Sequence, residues 1–184
     1  PFVDPMCGSG TIVIEAAMAG CNRAPGLKRN FAFEYFEFMD PQILERLRQE
    51  AKDSIRDVPF VVGGFDIDPK AVALTTHNAK LAGVGRHVKA GCCDVKDFKT
   101  KVENGILVCN PPYGERLLEK RQAEQLYQVM GKSFSALPDW QYFILTSHEG
   151  FEKFFGRKAD KKRKLYNGMI KCDLYQYFRR KKQV

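Results

Sequence analysis

The sequence has no CxxC pair, although six cysteines are spread over its 184 residues. It therefore lacks both the spacing of a zinc site and the cysteine framework of a small secreted domain. The sequence also lacks a signal peptide and any apolar run long enough to span a bilayer. We expect reduced, mostly buried cysteines in a cytoplasmic protein, with no metal and no membrane association.

The charge is one-sided, because 30 lysines and arginines outnumber 22 acidic residues and give a net charge of +8. This bias favours a polyanionic partner, nucleic acid first, although solubility alone would also account for it. Basic residues concentrate in RKADKKRK, residues 157–164, and in RRKK, residues 179–182. Either run alone could be a solvated loop or a frayed end.

Strand-like and helix-like segments alternate along the chain, with no internal repeat and no low-complexity linker. The predicted strands are 2–4, 60–66, 87–94, 105–110, 140–147, 164–169 and 171–178, the last two joined around Gly168. The predicted helices begin at residues 11, 40, 69, 117 and 149. Such alternation is typical of a parallel sheet covered by helices on both faces. We predict one α/β domain over residues 1–184, with a Rossmann-like, doubly wound, mostly parallel seven-stranded sheet and one antiparallel strand in its edge region.

The first loop, in FVDPMCGSGT, places Asp4 at a strand end and Gly8 and Gly10 before a helix. The glycines let the backbone approach a ligand closely, and the free N–H groups of the helix start would face that ligand. The loop matches neither GxGxxG nor the GK[ST] of a P-loop. Because Asp4 would repel a phosphate, the loop suits a nucleoside with a cationic or zwitterionic tail. A plain strand–helix turn is the alternative.

Two more acids end strands. Asp66, in GFDIDP, holds the place from which an acid binds ribose hydroxyls in doubly wound nucleotide sites. It lies 56 residues after Gly10 instead of about 20, so only its context supports that role. Asp68 is expected to cap the next helix, and Ile67 would lie beside a flat ring. Asp94, in GCCDV, could accept a hydrogen bond from an exocyclic amine or cap another helix.

The stretch VCNPPYGERL, residues 108–117, ends the apolar run ILVC in a stiff loop. Asn-Pro marks a turn, and Pro-Pro continues neither a strand nor a helix. Its groups do not titrate near neutrality, so acid–base chemistry is not indicated. In a doubly wound sheet the first and fourth strands are neighbours where the strand order reverses, and ligands bind there. The unusual loops are therefore predicted to converge in one crevice.

Together these residues resemble the class I S-adenosylmethionine-dependent methyltransferases. The stretches DPMCGSGT, GFDIDP, CDV and NPPYGERL look like the successive motifs of that class. The NPPY form resembles the branch that methylates exocyclic amines conjugated to a π system. DPMCGSGTIVIEAA, APGLKRNFAFE and NPPYGERL resemble the RlmL-like, THUMP-associated rRNA guanine-N2 methyltransferases over nearly the whole chain. The resemblance implies S-adenosyl-L-methionine as cofactor, guanine N2 of RNA, in 23S rRNA, as substrate, and a preceding THUMP RNA-binding domain.

The resemblance also implies a set of cofactor contacts. The cofactor-binding residues expected are Asp4, Pro5, Cys7, Gly8, Ser9, Gly10, Thr11, Asp66, Ile67, Asp94, Val95 and Asn110. Asp4 and the glycine loop would take the methionine part, and Asp66 the ribose. Ile67 and Val95 would flank the adenine. Asp94 would take the adenine amine, although CCD departs from the glycine that often precedes this acid in the family.

The expected catalytic residues are Asn110, Pro111, Pro112 and Tyr113. An aromatic exocyclic amine is a poor nucleophile, because its lone pair is delocalised into the ring. The Asn110 oxygen and the Pro111 carbonyl could accept its hydrogens, and the two prolines would hold these acceptors in place. Tyr113 would stack on the base. No general base is needed, so the three histidines are expected to be structural or at the surface.

Phosphate contacts are predicted for basic residues near this loop and in the first basic run: Arg116, Lys120, Arg157, Lys158, Lys161, Lys162, Arg163 and Lys164. The aromatic residues of 31–38 are expected to pack their insertion onto the core rather than to stack on bases. The alternatives left open are tRNA guanine-N2, DNA adenine-N6 and protein glutamine methyltransferases. From another class, a non-catalytic RNA-binding module with the same fold remains open.

Overall fold

The computed structural model describes residues 1–113 and 117–179. Its strands are β1 (Phe2–Asp4), β2 (Val62–Asp66), β3 (Val88–Cys92), β4 (Ile106–Cys109), β5 (Gln141–Thr146), β6 (Lys161–Asn167) and β7 (Ile170–Tyr177). Its α-helices are α1 (Thr11–Gly20), α2 (Pro41–Asp53), α3 (Pro69–Leu81), α4 (Leu117–Ser135) and α5 (Phe151–Phe155). Short 3-10 turns lie at Ala32–Tyr35 and Val95–Asp97.

The strands form one seven-stranded sheet in the order β3-β2-β1-β4-β5-β7-β6. The first five strands pair in parallel, and β7 is antiparallel to both β5 and β6. This arrangement confirms the predicted fold. Because β1 pairs with both β2 and β4, the strand order reverses at β1, and the loops that follow β1 and β4 lie side by side.

The two faces of the sheet have separate cores. On one face α4 and α5 bury aromatic and aliphatic side chains against β4, β5 and β7, among them Tyr127, Phe134, Ile144 and Tyr175. On the other face α1 and α3 pack on β1, β2 and β3. Each fully buried large side chain contributes about 1.5–3 kcal/mol, so these cores fix where the strand ends lie.

The β6–β7 hairpin begins earlier than the sequence predicted. β6 starts at Lys161 instead of residue 164, because Lys161 pairs with Gln176 at the far end of β7. Half of the first basic run is therefore an edge strand and not a loop. The hairpin turns at Gly168 and Met169, where the positive φ of Gly168 (61°) suits a tight two-residue turn.

The aromatic insertion does not pack onto the core as expected, and that prediction was wrong for most of its rings. Tyr35 and Phe38 are 80% and 83% exposed, and Phe33 and Phe36 are exposed as well. The insertion is held instead by polar contacts, since Glu34 Oε1 accepts hydrogen bonds from the Phe31 N–H of the insertion and from the Arg48 side chain of α2. Four of the rings pair within the insertion, Phe31 with Phe33 and Phe36 with Phe38.

Helix α2 begins where the sequence predicted, with Asp40 accepting a hydrogen bond from the Gln42 backbone N–H. None of its residues is fully buried, however, and Leu47 of its apolar face is half exposed. Among the described residues no helix is long and apolar enough to cross a membrane, and no cluster of three or more His, Cys, Asp or Glu residues could hold a metal. His87 and His148 are buried and His77 is exposed.

Candidate functional site

A cavity of about 610 Å³ opens at the carboxyl ends of β1, β2 and β4 and just beyond β3. Its walls are Pro5, Met6, Gly8, Asp66, Ile67, Cys93, Asp94, Val95, Asn110, Pro111, Pro112, Tyr113 and Leu126. This volume lies within the usual range for a small-molecule or cofactor site. The cavity also sits at the reversal of strand order, as the sequence predicted.

Most of the predicted cofactor-binding and catalytic residues line this cavity, but five do not. Asp4, Cys7 and Gly10 are buried and do not line the cavity, and Ser9 and Thr11 are exposed outside it. Three lining residues were not predicted: Met6, Cys93 and Leu126. Met6 and Cys93 are direct sequence neighbours of predicted residues, so they could have been found. Leu126 belongs to the apolar face of α4, and nothing in its spacing separates it from a core position.

Contacts to β2 and α3 shape the glycine loop. The Gly8 N–H donates to Asp66 Oδ2 at 2.9 Å, and the Thr75 hydroxyl donates to the Gly8 carbonyl at 2.9 Å. Gly10 has φ +89°, and a Cβ atom there would lie 2.8 Å from Thr75 Cγ2. Only glycine meets both demands, because its backbone accepts positive φ and leaves space for Thr75.

The two acids that line the cavity are both anchored. Asp66 accepts a hydrogen bond from the Gly8 N–H with one carboxylate oxygen, and with the other it accepts from the Asp68 N–H at 3.0 Å. Asp94 caps a 3-10 turn by accepting from the Lys96 N–H at 3.0 Å, and it pairs with Lys96 Nζ at 2.9 Å. The backbone hydrogen bond and then the side chain of Lys96 lower the pKa of Asp94. Asp94 is therefore both a helix cap and a cavity residue.

Asp4 lies beneath the loop and is only 2% exposed. Burial raises the pKa of Asp4 to about 7, the hydrogen bond from the Met6 N–H works against this rise, and the charge of Asp66 adds to it. Near neutral pH the carboxyl group is therefore balanced between its neutral and ionised forms. A cation bound close to this carboxylate would favour the ionised form.

The NPPY loop is stabilised from two sides. On the cavity side the Tyr113 hydroxyl donates to Asn110 Oδ1 at 2.5 Å and accepts from Asn167 Nδ2 of the β6–β7 hairpin at 3.4 Å. Burial raises the pKa of Tyr113 to about 12, so its hydroxyl stays a donor at neutral pH. Tyr113 thus links the loop to the hairpin.

On the core side, Tyr127 anchors the same loop. Its hydroxyl donates to the Pro112 carbonyl at 2.9 Å and lies 3.1 Å from Thr146 Oγ1, which accepts from the His148 N–H. Tyr127, Thr146 and His148 are all buried. A chain of hydrogen bonds therefore runs from β5 to the loop and fixes the proline backbone from below. This role of Tyr127 was not predicted from the sequence.

The predicted phosphate-binding residues fall into two groups. Arg157 and Lys162 are engaged, because Arg157 pairs with Asp160 and lies over the Tyr177 ring, and Lys162 pairs with Glu152. The other described members are exposed: Lys120 on α4, Lys158 before β6, and Lys161, Arg163 and Lys164 on β6. Arg116 lies outside the described residues, as does most of the second basic run.

Fold and cavity together define a doubly wound α/β domain with a nucleoside-sized site, and the comparisons with known proteins specify its class. Residues 1–176 match the model of the UPF0020 family, the RMKL-like methyltransferase domain, and the chain belongs to this family. The chain is 48% identical over 179 residues to YpsC of Bacillus subtilis (strain 168), covering 97% of this chain and 46% of that protein. It is 41% identical over 174 residues to the ribosomal RNA large subunit methyltransferase K/L of Legionella pneumophila (strain Lens), covering 94% and 25%.

Among solved structures, SMU.472 in complex with SAH superposes with a TM-score of 0.93 at 48% identity. That superposition covers 100% of this chain and 49% of the other. The chain is a methyltransferase domain with S-adenosyl-L-methionine as its cofactor. It spans half or less of the length of these relatives.

Proposed function

We propose that this protein transfers a methyl group from S-adenosyl-L-methionine to the exocyclic N2 amine of a guanine in RNA, with 23S rRNA as the target. One observation carries the proposal: the anchored Asn110–Tyr113 segment lines the same cavity as Asp66 and Asp94. The acceptors proposed for the substrate amine, Asn110 and Pro111, therefore line the same cavity as the acceptors proposed for the nucleoside of the cofactor.

The cavity suits the cofactor in size and in chemistry. Asp66 would accept hydrogen bonds from the ribose hydroxyls, and Asp94 would accept one from the adenine amine. Ile67, which is 69% exposed, and buried Val95 would give the adenine ring apolar contacts. When bound, the cofactor supplies an electrophilic methyl group on a positively charged sulfur. Asp4, with its pKa near 7, lies behind the loop that faces the methionine part.

The NPPY loop makes the guanine amine nucleophilic. Asn110 Oδ1 already accepts from Tyr113, and it uses its second lone pair for one hydrogen of the substrate amine. The Pro111 carbonyl accepts the other hydrogen. These two bonds favour the pyramidal amine, whose lone pair is no longer delocalised into the ring. Because Tyr127 and the prolines hold the acceptors, little reorganisation is needed, and the product proton leaves to water.

Three observations favour RNA as the substrate. The chain carries a net charge of +8, and the K/L relative is named as a ribosomal RNA methyltransferase. The base must also leave its stack to reach the cavity, and RNA loops reduce that cost of a few kcal/mol. A THUMP domain elsewhere in the protein and a cytoplasmic location stay predictions.

Tritiated methyl transfer to rRNA, tRNA, DNA and protein tests the substrate class, with label expected in rRNA. Asn110→Ala should reduce transfer at least about 100-fold, the usual effect of losing a preorganised catalytic contact. S-adenosylhomocysteine affinity, measured by calorimetry, should change far less, because Asn110 is only one of the expected cofactor contacts and the others stay intact. Asn30→Ala, in an exposed loop, is the matched control. Full activity in Asn110→Ala would refute the role of the amide, and label in DNA alone would favour the adenine-N6 alternative.

A further inference from the structure

The β6–β7 hairpin projects past the sheet edge on which the cavity opens. Thr146, the last residue of β5, pairs with Asp173, whereas β7 begins three residues earlier at Ile170. At about 3.3 Å per residue the tip extends roughly 10 Å beyond β5. Since β5 ends on the cavity side, this projection forms a wall next to the NPPY loop, and the Asn167–Tyr113 hydrogen bond joins the two.

One face of the hairpin near its tip carries a tyrosine and two lysines. Tyr166 and Lys171 are register partners, so their side chains leave the same face, and Lys164 follows on that face two residues before Tyr166. Tyr166 is 73% exposed, and Met169 at the turn is 98% exposed. Within the described part of the chain, no acidic side chain forms a salt bridge with Lys164 or Lys171, although Asp173 is the register partner of Lys164.

Protection of an open sheet edge does not account for this surface. β6 is an edge strand, and lysines and arginines on such strands prevent edge-to-edge association. That reason covers Lys161 and Arg163, in the first half of β6. It does not explain a large aromatic side chain and a methionine fully in solvent at the tip, which add apolar surface where protection would require charge. The tip itself adjoins the cavity wall, because Asn167, on the face opposite to that of Tyr166, bonds Tyr113.

We infer that the hairpin tip, residues 164–171, is a docking surface for the single-stranded RNA that flanks the target nucleotide. This inference rests on the proposed function and deepens it. Tyr166 stacks on a base that neighbours the target nucleotide. Met169 packs against the base face that becomes exposed when the target base leaves its stack, and Lys164 and Lys171 contact phosphates. The proximity of the tip to Tyr113 places these contacts within a few nucleotides of the reacting base.

The test measures RNA binding separately from catalysis in the full-length protein. The probe is a fluorescein-labelled 15-nucleotide oligoadenosine RNA, titrated by anisotropy at several salt concentrations. Tyr166→Ala should weaken binding roughly 5- to 150-fold, the range for one stacked base. The double variant Lys164→Ala/Lys171→Ala should lower the salt slope by about 1.4, that is, about 0.7 for each of two single-strand phosphates. Lys99→Ala/Lys101→Ala removes the same charge from exposed positions elsewhere and should change neither quantity beyond a small general effect.

Three outcomes would overturn the inference: a wild-type protein that does not bind the RNA, hairpin variants that bind like wild type, or a Lys99/Lys101 control that loses as much affinity and salt dependence. S-adenosylhomocysteine binding and circular dichroism, which should match wild type, report the folding of each variant. Methyl transfer tests the proposed function separately. RNA binding that depends on the hairpin, without methyl transfer to any RNA, would support the docking surface and contradict the proposed function.

Discussion

Replacing Asp4 by asparagine should change the pH dependence of stability in a defined direction. Asp4 is buried beneath the glycine loop, and its pKa is raised from 3.8 to about 7, first of all by burial. The unfolded chain therefore releases this proton near pH 4, and the folded chain releases it near pH 7. Between these values the folded state holds more protons, so the free energy of unfolding falls as pH rises and levels off above pH 7.

The size of this effect follows from the same shift. A rise of about three pH units corresponds to about 4 kcal/mol at 1.36 kcal/mol per unit. Of this, between roughly 2 and 3 kcal/mol falls between pH 5 and pH 8. Asp4→Asn has no carboxyl group to ionise, so its free energy of unfolding should gain that amount relative to wild type across the interval.

Urea unfolding of both proteins at pH 5, 6, 7 and 8 measures this difference, and other titrating groups cancel in the comparison. Asp53→Asn, at the exposed end of α2, is the control and should follow wild type at every pH. If the free energies of unfolding of Asp4→Asn and wild type change with pH in parallel, ionisation of the buried Asp4 carboxyl group does not destabilise the folded protein as proposed.

Two further substitutions test the supports of the site. Tyr127→Phe removes the hydroxyl that donates to the Pro112 carbonyl. We expect kcat to fall about 10-fold and the free energy of unfolding to fall by about 1–3 kcal/mol, with S-adenosylhomocysteine affinity unchanged. A wild-type kcat would contradict this role of Tyr127. Gly10→Ala combines backbone strain with a contact to Thr75, whereas Gly156→Ala has a similar positive φ and open space around it. In urea unfolding Gly156→Ala should lose about 1–2 kcal/mol and Gly10→Ala clearly more; equal losses would show that the contact with Thr75 costs nothing.

The strand ends could be predicted because local chemistry marks them. Asp4 and Asp66 follow apolar strands, Asp68 precedes a proline and caps α3 as expected, and Gly168 marks the hairpin turn. The order of parallel strands then follows from the handedness of their crossovers. Local signals and topology were therefore sufficient to bring Asp66, Asp94 and the NPPY loop into one cavity.

Features that depend on distant contacts could not be predicted. Lys161 belongs to a strand only because it pairs with Gln176, and the basic run around it looks like a loop when read alone. Tyr127 has the spacing of a core residue, and its bond to Pro112 depends on how α4 packs on β5. The exposure of Tyr35 depends on polar contacts of its insertion, whereas composition alone favours burial.

Identification of the methylated nucleoside tests whether this protein transfers the methyl group to guanine N2. The full-length protein is incubated with S-adenosyl-L-methionine and with deproteinised 23S rRNA from cells that lack this protein. The RNA is then digested to nucleosides for mass spectrometry. We expect N2-methylguanosine with wild type and none with Asn110→Ala. A different methylated nucleoside, or equal yields from the two proteins, would contradict it.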